Sequence, residues 1–236
     1  MRRVSWLDLH LLLIGTLLAL TLILVLPAGV WAEGPVMDGQ FADWSGYGSI
    51  TDPAGDGPTP NTDITLISWA SVVGWDRIAF MIVRTPPNSN NPRVFYNVYI
   101  DANNNGNAGD GDDRRIAVLY DPQQTTSQVI VTVFSGSGGQ ISQRSGDWGQ
   151  SVAEGGAQVE FVVSFADLGV FSHQTISMYI SAGATETGGN LDRAPDSGTI
   201  TWAPIPALGW PLLMVLFLGA VVLVWRTRGR RAWANT

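Results

Sequence analysis

Val94-Phe95-Tyr96-Asn97-Val98-Tyr99-Ile100-Asp101 decides the fold class. Successive side chains of an extended chain point to opposite faces. Val94, Tyr96, Val98 and Ile100 therefore make one apolar face, and Phe95, Asn97 and Tyr99 the other. The same period of two recurs on both sides of this stretch. Upstream, Ile64, Leu66, Ser68, Ala70 and Val72 alternate with Thr65, Ile67, Trp69 and Ser71. Ile78 to Val83 is apolar at every position, as a central strand covered on both sides would be. Downstream come Val129, Val131 and Val133, then Val159, Phe161, Val163 and Phe165, then Ile176, Met178 and Ile180. Ile116 to Tyr120 and Ile200 to Trp202 are shorter candidates. Gly, Pro, Asn and Ser clusters separate these runs, and no amphipathic helical pattern competes, apart from one turn at Phe165 to Gly169. The expectation is an all-β antiparallel sandwich of about eight or nine strands.

Outside this region the chain changes character. Arg2 and Arg3 precede an apolar run from Leu9 to Leu26, Pro27 breaks it, and Val30-Trp31-Ala32 supplies the small residues of a cleavage site. Residues 1–32 read as a signal peptide. Leu208 to Trp225 holds 18 residues without a charge, and Arg226, Arg228, Arg230 and Arg231 follow at once. With Ile205 to Ala207 the block reaches the roughly 20 residues that span a bilayer as a helix. The arginines keep the tail cytoplasmic. The expected domains are thus 1–32 signal peptide, 33–204 extracytoplasmic sandwich, 205–225 transmembrane or sorting helix, and 226–236 basic cytoplasmic tail. The localisation is the cell envelope, with the folded part outside.

Segment 33–204 carries 19 acidic residues against 7 arginines, a net charge of −12, with no lysine. Such a surface repels phosphate backbones, which argues against a nucleic-acid partner. The absence of cysteine removes disulfides, thiolate zinc sites and cysteine nucleophiles.

The strongest chemical signal is Asp101-Ala-Asn103-Asn-Asn105-Gly106-Asn107-Ala-Gly-Asp110-Gly-Asp112-Asp113. Oxygen donors stand at positions 1, 3 and 5, a glycine at 6 and a carboxylate at 12, the spacing with which a loop wraps calcium. Helices of an EF-hand are missing on both sides, so the expectation is a calcium loop joining two strands. Asp101, Asn103, Asn105 and Asp112 are the candidate ligands, with the carbonyl of Asn107 and with Asp110 as the alternative carboxylate. A solvated Asn-Gly turn is the competing explanation. Asp52 and Asp56, with Asp63 beyond them, form a second candidate cation site in a long irregular loop, Ser49 to Asn61. Their spacing fits no tight template.

Met37-Asp38-Gly39-Gln40-Phe41-Ala42-Asp43-Trp44 resembles the opening of carbohydrate-binding-module family-nine-like and DOMON-like domains. The Asp52–Asp56 loop, Asp63-Ile64, the strand ending at Asp101, and Val159-Glu160-Phe161 leading to Gly169 continue that resemblance. It implies a jelly-roll-like sandwich, often with bound calcium, and in several members sugar recognition by aromatic side chains. Ile205-Pro206-Ala207-Leu208-Gly209-Trp210, with the apolar helix and arginines after it, resembles PEP/IPTL-type bacterial sorting signals. That resemblance implies an exosortase-like enzyme as a partner, although Gly209 and Pro211 flank Trp210 where those signals usually have an acid.

For sugar stacking the candidates are Trp148, Trp75 and Tyr47, which lie in Gly/Asp/Ser-rich stretches; Trp44 reads as core. No nucleophile elbow or phosphate loop is present. His173 is the only histidine of segment 33–204, in a turn context. No catalytic residues are therefore assigned. The function expected is a calcium-stabilised, membrane-anchored module that binds a carbohydrate or another envelope component. A purely structural surface protein is the alternative. Behind it stand a hydrolase, for which Glu160 is a test position, and a haem protein using Met37, Met81, Met178 or His173.

Overall fold

The structure is a computed structural model, and it describes residues 34–71, 75–87, 92–171, 174–186 and 191–202. The expected signal peptide, membrane helix, basic tail and His173 lie outside the described residues. Among the described residues no helix is long and apolar enough to cross a membrane.

Eleven strands are described. They are β1 (Gly48–Thr51), β2 (Ile64–Ala70), β3 (Arg77–Arg84), β4 (Val94–Asp101), β5 (Arg114–Tyr120), β6 (Val129–Ser135), β7 (Gln140–Gly146), β8 (Gln158–Ser164), β9 (Ile176–Gly183), β10 (Asp192–Ala194) and β11 (Ile200–Trp202). A four-stranded sheet has the order β1-β2-β3-β8, and a seven-stranded sheet the order β10-β9-β4-β5-β6-β7. β11 also pairs with β9, at Ile176 to Met178, beyond the end of β10. Every pairing is antiparallel.

The fold is a β-sandwich because the inward rows of both sheets share one core. Ile67, Ile78, Phe80, Ile82, Val159 and Phe161 come from the smaller sheet; Tyr96, Val98, Ile116, Val118, Met178 and Ile180 come from the larger. Phe80 and Phe161, cross-strand partners on β3 and β8, stack at 5.1 Å. The outer face of the smaller sheet is also covered. A 3-10 turn at Phe41–Trp44 lays Trp44 on Ala70, Ala79 and Met81, with Met37, Phe41 and Tyr47 around it. This explains the unbroken apolar run of β3, which is buried on both faces.

Three features depart from the sequence reading. In β2 the alternation is interrupted by a register shift between Ile64 and Leu66. Such a bulge turns later residues to the opposite face, so Ile64 shares the main core with Ile67 while Leu66 packs outside. The start of the Ser49–Asn61 loop pairs with β2 as β1, an edge strand with Ile50 as its one apolar residue. β7 has no buried residue at all. The smaller sheet does not reach it, so nothing selects apolar side chains there, and the sequence gives no period.

The short turn at Phe165–Leu168, α1, forms as expected. Ser164 accepts from the N–H of Asp167 at 3.1 Å, and Gly169 ends the turn at φ 66°, a left-handed conformation that favours glycine.

Candidate cation site

Two segments far apart in sequence bring five aspartates together. β1 ends beside Asp52, whose N–H donates to the carbonyl of Thr65 at 3.0 Å. The chain then loops through Asp56 to Asp63 at the head of β2. The loop is wound around Asp63: its carboxylate accepts from the N–H groups of Gly55 at 3.0 Å and Gly57 at 3.2 Å and from the Thr85 hydroxyl. Only glycine fits at 57, since a Cβ there would stand 2.6 Å from the Asp63 Cα. From the other side come Asp192 at the start of β10 and Asp196 beyond its end. Asp192 accepts from Ile64 N–H at 2.6 Å and from its neighbour Arg193 N–H at 2.8 Å.

The carboxylates fall into two triples whose ligand atoms lie within 4.8 Å of one another: Asp52, Asp56 and Asp196, and Asp56, Asp63 and Asp192. Oxygen ligands of one calcium ion, each about 2.3–2.6 Å from it, are separated by at most about 5 Å. Clustered acidic residues here can hold a metal ion. The ion pairs among the described residues, Arg77–Asp76, Arg115–Glu186 and Arg144–Asp167, leave all five aspartates without a cationic partner.

Electrostatics point the same way. Asp52 is 9% exposed, and its Oδ2 is buried with no hydrogen-bond partner. Burial, then the charges of Asp192, Asp196 and Asp56, push its pKa up to about 6, against the pull of the Asp196 backbone N–H. Asp192 is also raised, by burial first, against the pull of its two N–H donors. A folded-state pKa above the unfolded value means that the folded chain holds more protons between pH ~4 and ~6. Metal-free protein should therefore lose on the order of 1 kcal/mol of stability through Asp52 as pH rises from 5 to 7.5. Thermal unfolding of the chelator-treated protein checks this. Saturating calcium, which favours the ionised carboxylate, should reverse the slope.

The Asp101 loop has a different character. Asp101 accepts from the N–H groups of Asn105 at 3.0 Å and Gly106 at 2.7 Å. Asn103 and Asn105 each accept the N–H two residues ahead, and their amides donate to Asp110. Asp113, fully buried, accepts from Ala102 and Asp110 N–H groups. Asp112 is exposed, and its carbonyl, with that of Asp113, accepts from Arg114. The loop is thus closed by its own turns, and the acidic triples found among the described residues lie at the other loop. The carboxylates that complete that cluster, Asp192 and Asp196, were missed. The one signal for them is the four-residue spacing, shared with Asp52 and Asp56, around a proline.

Of the aromatic candidates, Tyr47 and Trp75 are half-buried against the Trp44 cluster, and Trp148 is half-buried against the main core. Met178 is in the main core, while Met81 and Met37 belong to the Trp44 cluster. Glu160 is fully buried and binds three donors: the N–H groups of Asp38 and Gly39 and the Trp44 indole.

A different aromatic row lies on the outer face of the larger sheet. Cross-strand neighbours Tyr179, Tyr99, Arg115 and Phe134 run across β9, β4, β5 and β6. Tyr99 and Tyr179 stack at 4.8 Å, Arg193 lies 4.4 Å above Tyr179, and Arg115 lies 4.4 Å above Phe134. Arg115 also donates to Asn97 at 2.8 Å and Glu186 at 3.1 Å. Compared with family models, with curated proteins and with solved structures, the chain matches none of them.

Proposed function

We propose that this chain is an exported, membrane-tethered β-sandwich of the jelly-roll-like, family-nine or DOMON-like kind. In this reading it is stabilised by calcium and binds a carbohydrate or another component of the cell envelope. The calcium belongs at the five-aspartate cluster rather than at the Asp101 loop, because among the described residues the buried carboxylate oxygen without a donor, Asp52 Oδ2, is in the cluster.

The observation that carries the recognition half is the Tyr179–Tyr99–Arg115–Phe134 row. Apolar C–H faces of sugars pack on aromatic rings, and guanidinium and amide donors meet their hydroxyl or carboxylate oxygens. Three of the seven arginines of this acidic domain stack on aromatic side chains of this sheet face, Arg93 on Phe95 being the third. The arrangement suits a sugar chain more than a catalytic step. The one deeply buried glutamate of the strands, Glu160, is occupied by structural donors.

A glycan array probed with the full chain in detergent, with calcium and with chelator, tests this reading. A glycan signal is expected, with Tyr99→Ala and Tyr179→Ala each weakening it by about tenfold or more, the equivalent of about 1.4 kcal/mol. Silence in both conditions would leave the alternative of a purely structural surface protein.

A further inference from the structure

We infer that the cation sits in the outer triple, Asp52, Asp56 and Asp196, and acts as a staple between the two sheets, while Asp63 and Asp192 hold the loops and are not ligands. This rests on the reading that the cluster binds calcium, and it assigns different work to its members.

The division follows from what each carboxylate already does. Both oxygens of Asp63 are taken by Gly55 N–H, Gly57 N–H and the Thr85 hydroxyl, which uses about all the lone pairs a carboxylate has. Asp192 spends one oxygen on Ile64 and the other on Arg193. These two side chains are buried and shape the backbone around them. Asp52 differs, since its Oδ2 is buried and without a donor, and its carboxylate lies within 4.8 Å of those of Asp56 and Asp196. An oxygen that folding removes from water and leaves bare is what a hard cation would satisfy.

The position of that triple gives the ion a consequence. Asp52 and Asp56 belong to the β1–β2 loop of the smaller sheet, and Asp196 belongs to the segment between β10 and β11 of the larger. β10 and β11 are three residues each, have β9 as their one strand partner, and are the last described elements of the chain. The bond from Ile64 N–H to Asp192 already ties β10 to the smaller sheet, and the ion adds a second tie beyond it. An ion shared by Asp52, Asp56 and Asp196 fastens this short edge to the opposite sheet.

Hydrogen–deuterium exchange on the full chain in detergent, with and without calcium, tests the assignment. Calcium should slow exchange at residues 192–202 in the unmodified chain by at least tenfold. Asp52→Asn and Asp196→Asn should each abolish that slowing, measured against the same variant without calcium. Asp63→Asn should speed metal-free exchange in the β1–β2 loop yet keep a calcium response at 192–202. Calcium binding by titration calorimetry with no change at 192–202, or loss of the response in Asp63→Asn but not in Asp196→Asn, would overturn the staple while leaving calcium binding intact. No calorimetric binding at all would remove the cation from the proposed function as well.

Discussion

Calcium at about 100 times its dissociation constant should stabilise the folded chain by about 2.7 kcal/mol. For a domain of this size that corresponds to a rise of about 5–10 °C in the thermal midpoint. The physical source is the concentration of charge at one end of the sandwich. Asp52, Asp56, Asp63, Asp192 and Asp196 meet without any of the ion pairs described among these residues, and Asp52 is held 9% exposed with a bare oxygen. Folding without metal forces these carboxylates together and removes Asp52 from water, and both effects oppose ionisation. Asp52→Asn should remove the calcium response and, by removing a buried charge, raise the metal-free midpoint. Differential scanning calorimetry with calcium and with chelator reads both changes, and an unchanged midpoint in millimolar calcium would contradict the cation site.

Glu160→Gln is expected to cost about 3 kcal/mol, a large share of the 5–15 kcal/mol that keeps a domain folded. Glu160 lies on β8, fully buried. Its Oε1 accepts from Asp38 N–H at 2.8 Å and Gly39 N–H at 2.7 Å, and its Oε2 from the Trp44 indole at 2.7 Å. These bonds fix the N-terminal segment on the outer face of the smaller sheet, where Trp44 seals Ala70, Ala79 and Met81. Burial raises the pKa of Glu160, the three donors opposing it. Glutamine keeps the shape but turns an amide N–H toward one of the donors, leaving a buried clash of like groups. Urea unfolding measures the loss. A change below about 1 kcal/mol would mean that the segment is held by its apolar contacts alone.

The sequence made the inner strands legible because burial on one side imposes a period of two. β4, β6 and β9 show this directly, and the double coverage of β3 was readable from its unbroken apolar run. Ile64 and Leu66 misled because a bulge changes the phase without changing the residues. β7 was invisible because a strand wet on both faces needs no pattern. At the site, Asp52, Asp56 and Asp63 were visible as a local group, whereas Asp192 and Asp196 join them only through pairing of β10 with β9. The Asp101 loop shows why spacing alone is ambiguous. Oxygen donors at alternate positions suit a cation, and they equally suit successive side-chain turns onto the backbone two residues ahead. The aromatic row was hidden for another reason: Tyr99, Tyr179 and Phe134 alternate with core residues as any strand face does, and only the strand order makes them neighbours.

β7 bears on how copies of this chain behave when they are concentrated. Among the described residues it ends the larger sheet, with β6 as its one partner, and such an edge is the feature by which proteins fuse edge to edge. Apart from Ile141 and the terminal Gly146, its residues are glutamine, serine and arginine. A neighbouring molecule adding a strand there would gain hydrogen bonds but no dry layer to bury, so dense packing favours separate molecules over a continuous fibril.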